Sequence, residues 1–355
     1  MASGNDRRRS IESWWRDEAL APSPPVLGPL LSCASVVYRG GRALHRGLFA
    51  AQILQRRRLP IPVVSVGNLA VGGVGKTPFV GWLARELVAR GRRVLVVARG
   101  YGKAFGARLN DEGEWLERAA PGARIVQAPD RFRAATEALA AAPADIALLD
   151  DGFQHERLAR DLDVVLLDGR APFGNGRLLP RGPLREPPAA LRRARFVLVT
   201  RAELAPCGAL EQIRARVVAL APAARFGVVS FEIAALRRGS GREPPDALRG
   251  RAVVLFTGVG SPESVRANVE QRGATVVDEL AFPDHHAFTR EELEQARARA
   301  AGLSAALVVT EKDAVKLDRF GAPERYLVLE QRVVVADGGR ELIAAIEALS
   351  SSASP

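Results

Sequence analysis

Two cysteines, Cys33 and Cys207, are all the thiol this 355-residue chain holds. They stand far apart without metal-like spacing, which excludes a disulfide framework and a cysteine zinc site and fits a reducing, cytosolic setting. Also missing is an apolar run long enough to cross a bilayer. The stretch "VLGPLLSCASVVY", Val26 to Tyr38, has 13 residues where a span needs roughly 20. It follows 25 mainly polar residues that include acids, so it does not read as a signal peptide. No short-period repeat occurs, and acidic residues are in deficit, with 40 Asp and Glu against 51 Lys and Arg for a net charge of +11. Such an excess points to an anionic partner: nucleic acid, an acidic lipid surface or a phosphorylated substrate.

The distribution of charge narrows that choice. Residues 1 to 60 carry ten Arg and four acids, a surplus of +6 that flanks the short apolar run. Two readings follow for that segment. One is an interfacial helix whose Arg residues face lipid phosphates, and the other is a plain helix packed on the protein.

What the chain does have is the composition of a globular protein, 47% apolar and 26% charged, and length for two domains. Short runs rich in Val, Leu and Ile recur at 62–66, 93–98, 124–128, 145–150, 163–168 and 195–200, separated by helix-length amphipathic segments. Uninterrupted apolar strands alternating with helices indicate an α/β fold with a parallel sheet covered on both faces. A second set at 252–260, 275–279, 306–313 and 325–330 predicts a smaller α/β unit. The expected division is a polar N-terminus (1–25), a first domain (26–225), a linker (226–250), a second domain (251–349) and a tail (350–355).

The segment "AVGGVGKT", Ala70 to Thr77, has the form of a phosphate loop except that Ala70 stands where Gly is usual. Gly72, Gly73 and Gly75, with Val71 and Val74 between them, let backbone N–H groups converge on phosphate oxygens at a helix N-terminus. Lys76 spans the outer phosphates, Thr77 ligates magnesium, and Pro78 suits the first helical turn. The loop therefore predicts nucleoside triphosphate with Mg2+. Asp150 and Asp151 follow the apolar "IALL" at a strand end, where either carboxylate can serve the metal shell, and His155 lies close behind.

Three classes share such a loop. A partition-type ATPase, a membrane-associated assembly switch, normally carries Lys where this chain has Val71. A GTPase needs an Asp where Leu149 stands and an Asn-Lys-x-Asp motif that "TEKD" at 310–313 does not supply. The third class is a small-molecule kinase. "VSVGNLAVGGVGKTP", "ARGYG" (98–102), "LLDDGFQHERLARDLDVVLLDG" (148–169), "FGNGRLLPRGPLREP" (173–187), "FPDHHAFT" (282–289) and "VVTEKDAVKL" (308–317) together resemble the tetraacyldisaccharide 4'-kinase family, the lipid A kinases of Gram-negative bacteria. The six segments come in the family's order over most of the chain.

The resemblance implies ATP-dependent phosphorylation of the 4'-hydroxyl of an acylated glucosamine disaccharide 1-phosphate at the cytoplasmic face of the inner membrane. It implies two P-loop-like α/β/α domains joined by a β-ribbon, an anionic glycolipid and the membrane surface as partners, and neither nucleic acid nor an obligate protein partner. It also implies an Asp base supported by a His. By the motif these are Asp111, in "NDEG" with Glu112 beside it, and His285, with His286 a bystander and Asp284 available to fix the ring tautomer. Without the resemblance, "NDEGEW" reads as a hairpin turn. Asn175, Arg181 and Arg185 offer donors for sugar or phosphate, and Arg99 and Tyr101 stand at a strand end near the loop. The segment from Thr310 to Lys316 is left out of the expected site, its role open.

Overall fold

The computed structural model describes residue 15 and residues 27–101, 108–284, 286–321 and 323–352. The expected base partner His285, the end of the "ARGYG" segment at Gly102 and most of residues 1–25 lie outside them.

All ten strand-like runs are strands, and they share one sheet. The first half contains β1 (Val63–Asn68), β2 (Val94–Ala98), β3 (Arg124–Gln127), β4 (Ile146–Asp150), β5 (Leu162–Asp168) and β6 (Phe196–Thr200). After these come β7 (Arg225–Arg238), β8 (Gly241–Glu243), β9 (Ala252–Thr257), β10 (Thr275–Ala281), β11 (Ala306–Thr310) and β12 (Leu327–Asp337). The 12-stranded sheet runs β10-β9-β11-β12-β7-β6-β5-β1-β4-β2-β3, with β8 beside β7. β1, β2, β4 and β6 are buried along their whole length, as parallel strands covered on both faces must be.

The segment expected as a linker is where the two halves join. β7 pairs parallel with β6 over its first five residues and then antiparallel with β12, which is itself parallel to β11. Its burial alternates residue by residue, the mark of a ribbon with one covered face. The fold is thus a mostly parallel, mixed α/β sheet whose two halves are held by a long antiparallel β-ribbon.

The helices are α1 (Leu27–Ala50), α2 (Lys76–Ala89), α3 (Asp111–Ala119), α4 (Arg131–Ala141), α5 (Ala209–Leu220), α6 (Pro262–Gln271), α7 (Arg290–Gly302), α8 (Glu311–Leu317) and α9 (Gly339–Ser352). α9 departs from the expected division at 251–349. Its Leu342, Ile343 and Ile346 are buried in the first half's core with Phe79, Leu83 and Leu87 of α2, so the chain's last helix returns across the ribbon.

α1 is amphipathic in an unexpected sense. Arg42 and Arg46 do not all face outward: Arg42 pairs with buried Glu186 at 3.2 Å, and Arg46 reaches Glu186 at 3.3 Å and buried Glu156 at 3.6 Å. Ser35 donates to the Leu178 carbonyl at 3.0 Å and Tyr38 to that of Arg185 at 3.1 Å. The opposite side leaves Leu30, Val36, Val37 and Leu44 exposed. No helix among the described residues is long and apolar enough to cross a membrane.

Candidate active site

The phosphate loop connects the buried end of β1 to α2. Gly75 takes φ 86°, a left-handed conformation that L side chains rarely adopt, and a Cβ there would stand 2.3 Å from Cζ of Phe231 on β7. The loop is thereby braced on the ribbon that joins the halves. Lys76 Nζ donates to Asn68 Oδ1 at 3.1 Å and lies 3.6 Å from Asp151 Oδ1, and the Thr77 hydroxyl donates to Asp150 Oδ2 at 3.0 Å. Ala70 and Val71 form the rim. Ala70 packs on the apolar cluster around Leu69 and Leu184, and the Val71 N–H donates to the Pro183 carbonyl at 2.8 Å. A Cβ at position 70 is therefore accommodated, and the cavity lining begins at Gly72.

The adjacent acids Asp150 and Asp151 have different surroundings. Asp151 has φ 54°, a backbone turn that sends its carboxylate away from that of its neighbour. It accepts from Arg185 Nη1 at 2.8 and 3.0 Å. Burial alone would raise its pKa, but Lys76 and Arg185 outweigh that and hold it below the usual carboxylate range. Asp150 is buried against Thr77. Burial, with the charge of Glu112 adding to it, pushes its carboxyl up to about 6. Its Oδ1 is buried with no hydrogen-bond partner among the described residues. A hard cation fits such an oxygen pair. No group of three His, Cys, Asp or Glu gathers among the described residues, so the remaining ligands would come from phosphate and water, as magnesium prefers.

Opposite the loop, a cavity of about 500 Å³ is lined by groups from distant parts of the sequence, including Glu112, Trp115, Gly260, Asp284, Thr310 and Lys312. "NDEGEW" is the start of α3 and not a hairpin. Asn110 caps it, accepting from the Gly113 N–H at 3.1 Å, and is itself fixed by Gln127 Oε1 at 2.8 Å and the Tyr101 carbonyl at 2.7 Å. Asp111 and Glu112 are therefore the first two residues of a capped helix. Lys312 of α8 donates to Glu112 Oε1 at 3.2 Å and to Asp284 Oδ1 at 2.9 Å; burial alone would lower its pKa, but these two carboxylates outweigh that and raise it overall. Gly73 of the phosphate loop and Gly260 touch across the cleft, a Cβ on Gly73 standing 3.6 Å from Gly260 Cα.

The other expected site residues divide. Arg99, Tyr101 and Arg185 line the same cavity, the Arg99 guanidinium 4.4 Å from the Tyr101 ring centroid. Asn175 and Arg181 instead hold their own loop and α1 together. Asn175 Nδ2 donates to the Arg181 carbonyl at 3.2 Å, and Arg181 contacts the Ser32 hydroxyl. His155 accepts the Leu158 N–H at 3.2 Å, and His286 stacks on Phe282 and bonds Glu292 at 3.0 Å. The segment from Thr310 to Lys316, left out of the expected site, supplies Thr310, Glu311 and Lys312 to the cavity. A Thr at a buried strand end followed by Glu-Lys-Asp was the signal available for it, since that pattern caps a helix at the ligand-binding edge of a parallel sheet.

A switch ATPase needs only the loop and its strand-end carboxylate. Here a second wall of fixed charges faces them across a cleft, which is what a P-loop kinase uses to seat an acceptor. The sequence profile of tetraacyldisaccharide-1-P 4'-kinase matches residues 27–349. The chain belongs to that family. It is 44% identical over 323 residues to the tetraacyldisaccharide 4'-kinase of Anaeromyxobacter sp. (strain Fw109-5), covering 86% of each chain, and 36% identical to that of Syntrophus aciditrophicus (strain SB), covering 92% of this chain and 95% of the relative. Its fold matches the crystal structure of LpxK from Aquifex aeolicus in complex with ATP with a TM-score of 0.70 at 29% identity, covering 91% of this chain and 99% of that one. Membership makes the chain a kinase that uses ATP and sets aside the partition-type alternative.

Proposed function

We propose that the protein transfers the γ-phosphoryl group of ATP to the 4'-hydroxyl of an acylated glucosamine disaccharide 1-phosphate, giving the 1,4'-bisphosphate and ADP. The observation that carries this reading is the cavity itself. It joins the phosphate loop, the Thr77–Asp150 pair and the acidic first turn of α3 in a chain matched to the family over residues 27–349.

The N–H groups of Gly72 to Gly75 and the Lys76 ammonium hold the β- and γ-phosphates. Thr77 and Asp150 would hold magnesium, which would supply positive charge to neutralise the phosphate oxygens. Asp151, neutralised by Arg185, holds that arginine and Lys76 at the loop. The Asp111 carboxylate accepts the proton of the 4'-hydroxyl as its oxygen bonds to the γ-phosphorus. The bond from that phosphorus to the bridging oxygen breaks, and ADP leaves with the electron pair. His285 orients Asp111, and Arg99 and Tyr101 flank the acceptor. The exposed apolar side of α1 rests in the cytoplasmic surface of the inner membrane, where the acyl chains of the substrate lie.

Incubating the protein with ATP, Mg2+ and the acyl disaccharide 1-phosphate in detergent tests this. Wild type should form the bisphosphate, and Lys76→Ala and Asp111→Ala should not. ATP hydrolysis by wild type without lipid phosphorylation would overturn the reading.

A further inference from the structure

On the second wall, α8 presents two lysines one turn apart to two consecutive acids of α3. Lys312 engages Glu112. Lys316 Nζ lies 3.9 Å from Asp111 Oδ2 and 3.8 Å from Asp313 Oδ1. The two lysines differ in one respect. Lys312 donates hydrogen bonds into the cavity, whereas the Lys316 side chain is 3% exposed and its ammonium has no hydrogen-bond partner among the described residues. It sits 5.4 Å from the centroid of the Phe288 ring.

An ammonium buried in this way is unfavourable unless its charge is needed. Asp313 accounts for part of it, its buried Oδ1 facing the ammonium at 3.8 Å with no hydrogen-bond partner among the described residues. That carboxylate turns Oδ2 to the Gly258 N–H at 3.1 Å and the Thr310 hydroxyl at 2.7 Å, which already fix it at the end of β11. The other carboxylate within 4 Å of the ammonium is Asp111, whose side chain is 44% exposed at the first position of a helix. A proton acceptor must stand within about 2.6–3.2 Å of the hydroxyl it serves.

We propose that Lys316 is a positioning residue for phosphoryl transfer: its buried ammonium, fixed between Asp313 and Phe288, restrains the Asp111 carboxylate at the mouth of the cleft. The proposal rests on Asp111 being the proton acceptor. Once Asp111 takes the proton it is neutral, its attraction to Lys316 falls away, and the acid is free to return the proton to solvent.

A double-mutant cycle between Lys316→Met and Asp111→Asn tests it, with kcat and KM measured for both substrates. Lys316→Met should lower kcat about tenfold with KM for ATP unchanged, and the same substitution in the Asp111→Asn background should change kcat by no more than about twofold. A Lys316→Met enzyme with wild-type kcat, or one that loses the same factor in both backgrounds, overturns the proposal, because a strut for α8 would act without Asp111. Should Lys316→Met fail to fold, Lys316→Met combined with Asp313→Asn removes both charges of the buried pair and enters the same cycle. An Asp111→Asn enzyme with full kcat overturns the base assignment and this proposal with it. An impaired Asp111→Asn enzyme with multiplicative effects overturns this proposal alone.

Discussion

The two walls of the cleft are built in different ways. The phosphate wall comes almost entirely from residues 67–78 with the strand-end acids Asp150 and Asp151, so local chain geometry places most of its groups. The opposite wall gathers Glu112, Gly260, Asp284 and Lys312, drawn from four segments that only the sheet order and the β7/β12 ribbon bring together, with Asp111 next to Glu112 at the start of α3. The first is a motif and the second is a consequence of topology. On the function proposed above, nucleotide binding belongs to the contiguous wall and the handling of the acceptor to the assembled one.

The largest test of that division is Lys76→Ala. Removing the ammonium from the phosphate wall should lower kcat/KM by about 10³-fold, since preorganised charges on transferring phosphoryl groups are worth that much. Nucleotide affinity, read by titration with a fluorescent ATP analogue, should fall with it. Asp111→Asn tests the other wall and should lower kcat by about 10²-fold while leaving nucleotide affinity unchanged. If Asp111→Asn weakened nucleotide binding as much as catalysis, the division of labour would fail.

The same contrast explains what was legible in the sequence. Strands of uninterrupted apolar residues announced the parallel sheet, and the glycines, Lys76 and Thr77 announced the phosphate loop, because each depends on neighbours a few residues away. The sequence did not reveal which of Asp150 and Asp151 faces Thr77. That is decided by φ 54° at Asp151 and by Arg185, 34 residues further on. The start of α3 resembled a turn because Asn-Asp-Glu-Gly suits both, and Gln127 on β3 decides in favour of the capped helix. The basic N-terminal segment leaves two readings open, arginines facing lipid or a helix packed on the protein, and Arg42 and Arg46 turn toward Glu186 and Glu156. A count of charges cannot register partners 140 residues away.

Membership of a legible stretch does not make a residue chemical, and His155 sharpens that point. Burial, reinforced by the cations Arg131 and Arg160, holds its pKa down at about 4. The folded state therefore binds a proton less readily than the unfolded chain, whose His titrates near 6.5. The associated stability is fully present above pH 6.5 and is lost as pH falls toward 4. His155→Gln removes this dependence. In urea unfolding, the stability difference between wild type and variant should shrink by roughly 2 kcal/mol from pH 7.5 to pH 5. A difference independent of pH would show that the ring is not held neutral by the fold.

The smallest effect is expected on a surface that lines neither wall. Val36 and Val37 on α1 are 70% and 75% exposed, while Arg42 and Arg46 on the same helix anchor it to Glu186 and Glu156. Helix docking and lipid contact are thus assigned to different faces, and the apolar one can be changed without loosening the other. Replacing both valines by serine should weaken sedimentation with anionic vesicles about tenfold, since the four methyl groups removed are worth roughly 0.8 kcal/mol each when fully buried and about half of that at a membrane interface. Because the loop at 173–187 lies between α1 and the phosphate wall, kcat for substrate dispersed in detergent should stay at the wild-type value if α1 serves only to reach the membrane. A parallel loss of kcat in detergent would instead mean that α1 acts on the phosphate loop through the contacts of Tyr38 with Arg185 and of Val71 with Pro183, and the separation between the two walls and the membrane face would no longer hold.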